Sequence, residues 1–142
     1  MRESDLELMV RIHKALAHPV RVRILAMLRS GEVCVCQLNA VIGLAPSTIS
    51  AHLGELKDAG LVAERKAGRW VHYRLAAEGA GARVLEASFA ALAGESQVHD
   101  DDTLLAAVTA KPVEEICRPG FDAATLWRGC CSPRGASSKE RA

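Results

Sequence analysis

Apolar residues recur every three or four positions along most of this chain, and a single interval with a period of two interrupts them. Leu6, Met9, Val10 and Leu16 mark a first helical stripe, with Ser4 placed ahead of it as an N-cap. Val20, Ile24, Leu25 and Leu28 mark a second, opened by Pro19 at a first helical position and closed by Gly31. A short "EVCV" able to pair as a strand leads into Leu38, Val41 and Ile42, a brief third helix ending at Gly43. Ile49, Leu53 and Leu56 predict a fourth helix between Pro46 and Gly60, fraying at its start because Ala45 is a poor N-cap. In "LVAERKAGRWVHYRL" Val71, Tyr73 and Leu75 alternate with Trp70, His72 and Arg74, which predicts a hairpin turning at Gly68. Val84, Leu85, Phe89 and Leu92 then restore helical spacing, with the stable part expected from about Gly81.

Beyond Glu95 the pattern weakens. "ESQVHDDD" reads as a solvated acidic linker, "TLLAAVTA" as one short helix, and the proline-containing remainder as irregular, with "ASSKERA" expected to be disordered. The expected division is therefore a folded unit over 1–94 and a cysteine-containing extension over 95–142.

Helix, helix, short strand, helix, tight turn, helix, hairpin, helix is the order of a winged helix-turn-helix, a mainly α fold with a small β-hairpin (α+β). Two short helices around Gly43, Leu44 and Ala45 form the angled pair that projects its second member into a major groove. With Ile49, Leu53 and Leu56 turned inward, Ser47, Thr48, Ser50, Ala51 and Glu55 face outward or sideways. Their hydroxyls suit phosphates and base edges, and small side chains admit close backbone approach. His52 sits near the inward stripe and reads either as a DNA contact or as a packing histidine. Arg65, Lys66 and Arg69 cluster about Gly68, where they can neutralise phosphates. The first helix and the helix after the hairpin carry apolar faces that so small a core does not obviously bury. A twofold homodimer would cover them and set two probe helices one DNA turn apart, on an inverted-repeat operator.

Composition sharpens this picture in three places. Aromatic residues make up only 4% of the 142-residue chain, so the core is aliphatic, as suits packed helices. Residues 1–75 hold 11 Lys/Arg against 7 Asp/Glu, while 76–142 hold 7 against 10, and the basic excess in the first half points to an anionic partner there. No apolar run reaches a membrane span of roughly 18 residues and the opening residues lack an export signal, so the expected location is the cytoplasm, with no membrane partner. Five cysteines, an odd number with two pairs separated by two and one positions, make poor structural disulfides; reduced thiols are expected.

Two of those cysteines, Cys34 and Cys36, flank Val35 where the third helix begins. In an extended segment side chains two apart face the same side, and a helix N-terminus favours thiolate over thiol, so the pair forms a pincer for a soft ion. "ALAHPVRVRILAML", "EVCVCQL", "STISAHLGELKDAGLV" and "RKAGRWVHYRL", in that order, resemble the ArsR/SmtB family of metal-responsive repressors over roughly the first two thirds of the chain. The resemblance implies a homodimeric winged-helix repressor, not an enzyme, that leaves its operator when a metal or metalloid binds. Cys-Val-Cys at this place is similar to the signature of arsenic and antimony sensors and of cadmium and lead sensors. No organic cofactor is implied.

The sequence departs from the commonest arsenic pattern, Cys-x-Cys-x-x-Cys, by carrying Asn39 at the third position. Trivalent arsenic is expected to take three thiolates, and the remaining sulfurs are Cys117, Cys130 and Cys131. Either the tail folds back so that one of them completes the site at Cys34 and Cys36, which is the preferred arrangement, or the three form a site of their own. Cys117, beside Ile116, also reads as a packing cysteine. Zinc sensors of the family carry Asp, His and Glu ligands on the helix after the hairpin, but "AEGAGARVLEASFAALAG" has no histidine. Thiol redox sensing with the same cysteines, or a winged helix serving protein contacts alone, are the rival functions.

Overall fold

A computed structural model describes residues 2–118 and 121. Helix α1 spans Asp5–Leu16 and begins with a reciprocal cap: Ser4 Oγ accepts from the Glu7 N–H at 3.1 Å, and Glu7 Oε2 accepts from the Ser4 N–H at 2.9 Å. Helix α2, Pro19–Met27, is capped by His18, whose Nδ1 accepts from the Val20 N–H, and a single 3-10 turn, Leu28–Ser30, carries it to Gly31. Helix α3 covers Val35–Ile42 and helix α4 Pro46–Asp58. Gly43 joins them at φ +81°, a left-handed conformation that costs glycine nothing and lets the Gly43 N–H return to the Asn39 carbonyl. Ala45 gives α4 no side-chain cap, and Pro46 presets its first turn instead.

The expected hairpin forms from β2, Val62–Ala67, and β3, Trp70–Leu75, turning through Gly68 at φ +64° and Arg69. The "EVCV" segment supplies β1, Val33–Cys34, which pairs antiparallel with β3 in the order β1-β3-β2. Val33 stands opposite Tyr73 and Cys34 opposite His72. The cysteine segment is thus a third strand of the wing sheet. Helix α5, Gly79–Ala91, starts two residues before the expected Gly81. Gly81 itself is buried, and a Cβ there would meet Leu61 Cδ2 at 3.4 Å, so its value is close packing rather than flexibility.

The segment after Glu95 differs most from expectation. The anticipated acidic linker is the first half of helix α6, Ser96–Thr109, followed by a single turn, α7, at Val113–Ile116. Val98, Leu104, Leu105 and Val108 lie on one buried face of α6, which packs across α2 and α3. Three consecutive acidic residues do not prevent this, because the helix spreads them around its axis: Asp101 turns inward to Arg23, and Asp102 reaches Arg29 at 2.7 Å. Leu104, Leu105, Val108 and Ile116 join Ile12, Ile24, Leu25, Leu38, Ile49, Leu53 and Leu56 in one aliphatic core. That core continues past residue 94, and the expected disorder of "ASSKERA" lies outside the described residues.

Candidate metal centre and nucleic-acid interface

Cys34 ends β1 and is the N-cap residue of α3, 1% exposed, with its N–H donated to Gln37 Oε1 at 2.8 Å. The buried Gln37 side chain therefore fixes the backbone at the start of α3. Cys36 follows within the first turn, half-buried. Cys117 arrives from 81 residues away because α6 crosses α2 and α3 and α7 then packs on α3. The sulfurs of Cys34, Cys36 and Cys117 lie within 4.8 Å of one another. Cys36 and Cys117 are joined as a disulfide and Cys34 is free. The expectation that all thiols are reduced rested on sequence neighbours, whereas the pairing partner is brought in by a helix. Cys130 and Cys131 lie outside the described residues. Asn39, at the third position of the cysteine pattern, keeps its Oδ1 buried with no hydrogen-bond partner among the described residues.

Three soft donors at this separation suit an ion that forms short bonds to sulfur, once the disulfide is reduced. No oxygen or nitrogen ligand joins them in a comparable cluster among the described residues. The site opens onto a cavity of about 390 Å³ lined by Cys34, Val35, Cys36, Ser50, Glu64, Arg69, Trp70, Val71 and Tyr73. Side chains of the thiol pair, of α4 and of the wing thus share one chamber. Glu64 within it is held below the usual carboxylate range, first by its hydrogen bond from Lys57 at 2.9 Å, and it accepts a second from Tyr73 Oη at 3.2 Å. These contacts tie the end of α4 to both strands of the wing.

The surface expected to meet DNA is exposed at Ser47, Thr48 and Ser50 on α4 and at Arg65, Lys66 and Arg69 on the wing. Two residues are more engaged than their sequence suggested. Arg65 is clamped to Glu32, with nitrogen–oxygen distances of 2.7 and 3.0 Å. His52 is half-buried, its ring 4.3 Å from that of His18 and its Nδ1 3.3 Å from the Arg21 guanidinium. Burial, followed by the charges of His18 and Arg21, pushes the His52 pKa down. The Arg69 guanidinium lies over the Trp70 ring at 4.8 Å, which leaves it at the tip of the wing.

The apolar face expected to be left over on α1 is exposed, whereas that of α5 is half-buried, with Leu85 buried outright. Leu6 and Val10 of α1 are 75% and 46% exposed, and Leu75, Ala82, Leu85 and Phe89 line a groove along α5. Three participants escaped sequence reading: Gln37, Arg23 and Asp101. Val98, Asp101, Leu105 and Val108 stand at helical spacing, but the carboxylate among them interrupts the apolar stripe. Nothing local identifies Arg23 as the partner of Asp101.

Comparisons with known proteins agree with this architecture. Residues 18–64 match the family model described as "Bacterial regulatory protein, arsR family". The arsenic resistance transcriptional regulator ArsR1 of Pseudomonas putida is 43% identical over 65 residues, 45% of this chain and 51% of that one. The chain spans about half the length of the curated relatives it matches. Among solved structures, HlyU of Vibrio cholerae matches with a TM-score of 0.58 at 32% identity, covering 65% of this chain and 99% of that one. The homodimeric winged helix-turn-helix DNA-binding domain Mb0332 of Mycobacterium bovis matches with a TM-score of 0.56 at 33% identity, covering 68% and 93%. The family model describes regulatory proteins, and ArsR1 is named a transcriptional regulator. With helix pair, wing and sequence in agreement, the chain belongs to the arsR family of bacterial regulatory proteins.

Proposed function

We propose that this protein is a transcriptional repressor that holds inverted-repeat operator DNA as a homodimer and leaves it when Cys34, Cys36 and Cys117 capture a soft ion. The carrying observation is the meeting of three sulfurs within 4.8 Å, two of them in the wall of the cavity that Ser50 and Arg69 also line. Trivalent arsenic, or antimony, is the proposed inducer, in keeping with the arsenic resistance regulator among the relatives. Cadmium or lead, which also favour thiolates, are the alternative. The alternative arrangement, in which Cys117, Cys130 and Cys131 form a site of their own, is tested by serine substitution of Cys130 and Cys131.

Capture begins from the reduced protein, so a thiol reductant must first deliver two electrons and two protons to the Cys36–Cys117 bond. Three S–H groups and one arsenous acid then give three As–S bonds and three waters, with no change in oxidation state. Drawing Cys34 and Cys36 onto the ion strains the start of α3 and, through the β1–β3 pair, the wing. Ser47, Thr48 and Ser50 on α4 and Lys66 and Arg69 on the wing then lose their joint fit to the duplex. His52 and Arg65 reach DNA only by giving up Arg21 and Glu32, and they take secondary roles. Couplings of this kind are typically about 1–3 kcal/mol, roughly 5- to 150-fold in affinity, and operator must weaken ion binding by the same factor.

A gel shift with reduced protein and a fragment of its own promoter, titrated with arsenite and separately with cadmium, tests the reading. Release is expected in the wild type and lost in Cys36→Ser and Cys117→Ser, with ion-free DNA binding retained. An ion-loaded protein that grips the operator as tightly as the empty one overturns it. The disulfide favours a second reading, thiol redox control, in which peroxide takes up two electrons and two protons from Cys36 and Cys117 and leaves as two waters. Release by peroxide alone, with neither ion effective, selects that reading.

A further inference from the structure

Helix α6 brings Cys117 to the other sulfurs, and its inner face holds one charged residue. Asp101 is 4% exposed, and both of its oxygens accept from Arg23, Oδ2 from Nε and Oδ1 from Nη2, each at 2.8 Å. Gln97, one turn earlier on α6, adds a third bond from its Nε2 to Oδ1 at 3.0 Å. The Arg23 side chain, on α2, is 24% exposed. A buried ion pair is a poor source of net stability, because desolvation consumes much of the attraction, and an apolar pair of similar volume commonly does as well. Such a pair supplies direction instead. The aliphatic contacts of α6 carry no directional preference of their own, while a two-pronged guanidinium–carboxylate contact does.

We infer that Asp101 is a positioning residue for the thiol site: its pair with Arg23 sets the register of α6 on α2 and so delivers Cys117 to Cys36. This rests on the proposed soft-ion site for its consequence in regulation, though not for its geometry. A slip of one residue moves a helix about 1.5 Å and turns it about 100°, and a slip of one turn moves it about 5.4 Å. A zinc–thiolate bond is about 2.3 Å long, which sets the scale of a sulfur–ion contact. Either slip removes Cys117 from the reach of an ion held by Cys34 and Cys36. The more exposed pair of Arg29 with Asp102, 39% and 44% exposed, is screened by water and specifies register weakly.

The test uses the full chain with Cys130→Ser and Cys131→Ser, so that sulfur absorption reports only three thiols. Asp101→Asn is compared with its parent in three measurements. The equilibrium of the Cys36–Cys117 disulfide against glutathione, read by mass spectrometry, needs no ion, and the variant is expected to form the bond at least tenfold less readily. Arsenite and cadmium affinities, read from sulfur-to-ion charge-transfer absorption, are expected to fall at least tenfold for whichever ion binds the parent. Operator affinity without ion should stay within twofold. In a Cys117→Ser background, Asp101→Asn should leave ion affinity unchanged, because its effect passes through that sulfur. Gln97→Ala, a milder change, should give a smaller shift in the same direction and serves if Asp101→Asn fails to fold. An unchanged disulfide equilibrium overturns the inference, as does a loss of operator affinity equal to the loss in disulfide formation. If no ion binds the parent while the disulfide equilibrium still shifts, the soft-ion reading fails and the positioning role stands.

Discussion

Helices α4 and α6 are nearly equal in length, 13 and 14 residues, yet they relate to their sequences in opposite ways. In α4 every buried position is aliphatic, every charged residue is exposed, and the stripe of Ile49, Leu53 and Leu56 announces the inner face. In α6 an acidic run hides the stripe, and the one inward carboxylate is matched by an arginine 78 residues earlier. On the proposed function, the helix whose outer face meets DNA keeps its inner face legible. The helix proposed to bring a distant ligand to the site holds a contact that looks wrong until its partner is found.

The comparison can be broken first at the core. Leu53→Ala in α4 and Val108→Ala in α6 both remove fully buried side chains, with losses of about 2–5 kcal/mol expected for Leu53 and less for the smaller Val108. Urea unfolding measures both. If Val108→Ala costs nothing, α6 is not a working part of the core, and the likeness between the helices ends there.

A smaller effect separates their outer faces. Arg69→Ala, on the wing beside α4, is expected to weaken binding to specific and nonspecific DNA alike and to reduce the slope of log affinity against log salt by about 0.9. Fluorescence anisotropy at several salt concentrations reads it. Unchanged affinity means that the hairpin does not touch the duplex.

The smallest effect concerns His52, the one residue of α4 with a titrating ring against the core. Its folded pKa lies below the ordinary 6.5, chiefly because of burial and then because of His18 and Arg21. The unfolded chain therefore takes up the proton first as pH falls. The stabilising contribution is complete above pH 6.5 and is lost as pH drops through the lower folded value. Urea midpoints measured between pH 7.5 and pH 5 should fall less in His52→Gln than in the wild type. Parallel curves remove His52 as the cause.

How far sequence carried depended on the distance over which each feature is decided. Ser4 with Glu7, Pro19, Gly43 and Gly68 act within a few residues of themselves, and each stands where local rules put it. The outward face of α4 was legible for the same reason, and so was the place of Cys34 and Cys36 where α3 begins, but the extended segment expected to align the two ends at Cys34, and Cys36 lies in the first turn of α3. Helix α5 begins two residues before the expected position, and the close approach of Gly81 to Leu61 within its first turn was not legible. Arg65 and His52 were readable as basic side chains near the wing and α4, but their engagement with Glu32, His18 and Arg21 was not. Those partners lie 31 to 34 residues away in sequence, and only packing brings them together.

By itself the sequence determined a helix pair with a wing, an aliphatic core and two cysteines poised where α3 begins, because hydrophobic period, turn chemistry and capping are local properties of the chain. Tertiary structure alone decided that an acidic stretch is a packed helix, that Asp101 meets Arg23, and that Cys117 rather than a nearer residue stands beside Cys36. Each of these depends on which surfaces of distant helices can be buried together, and the cost of leaving a carboxylate unpaired in that interior is what selects one arrangement.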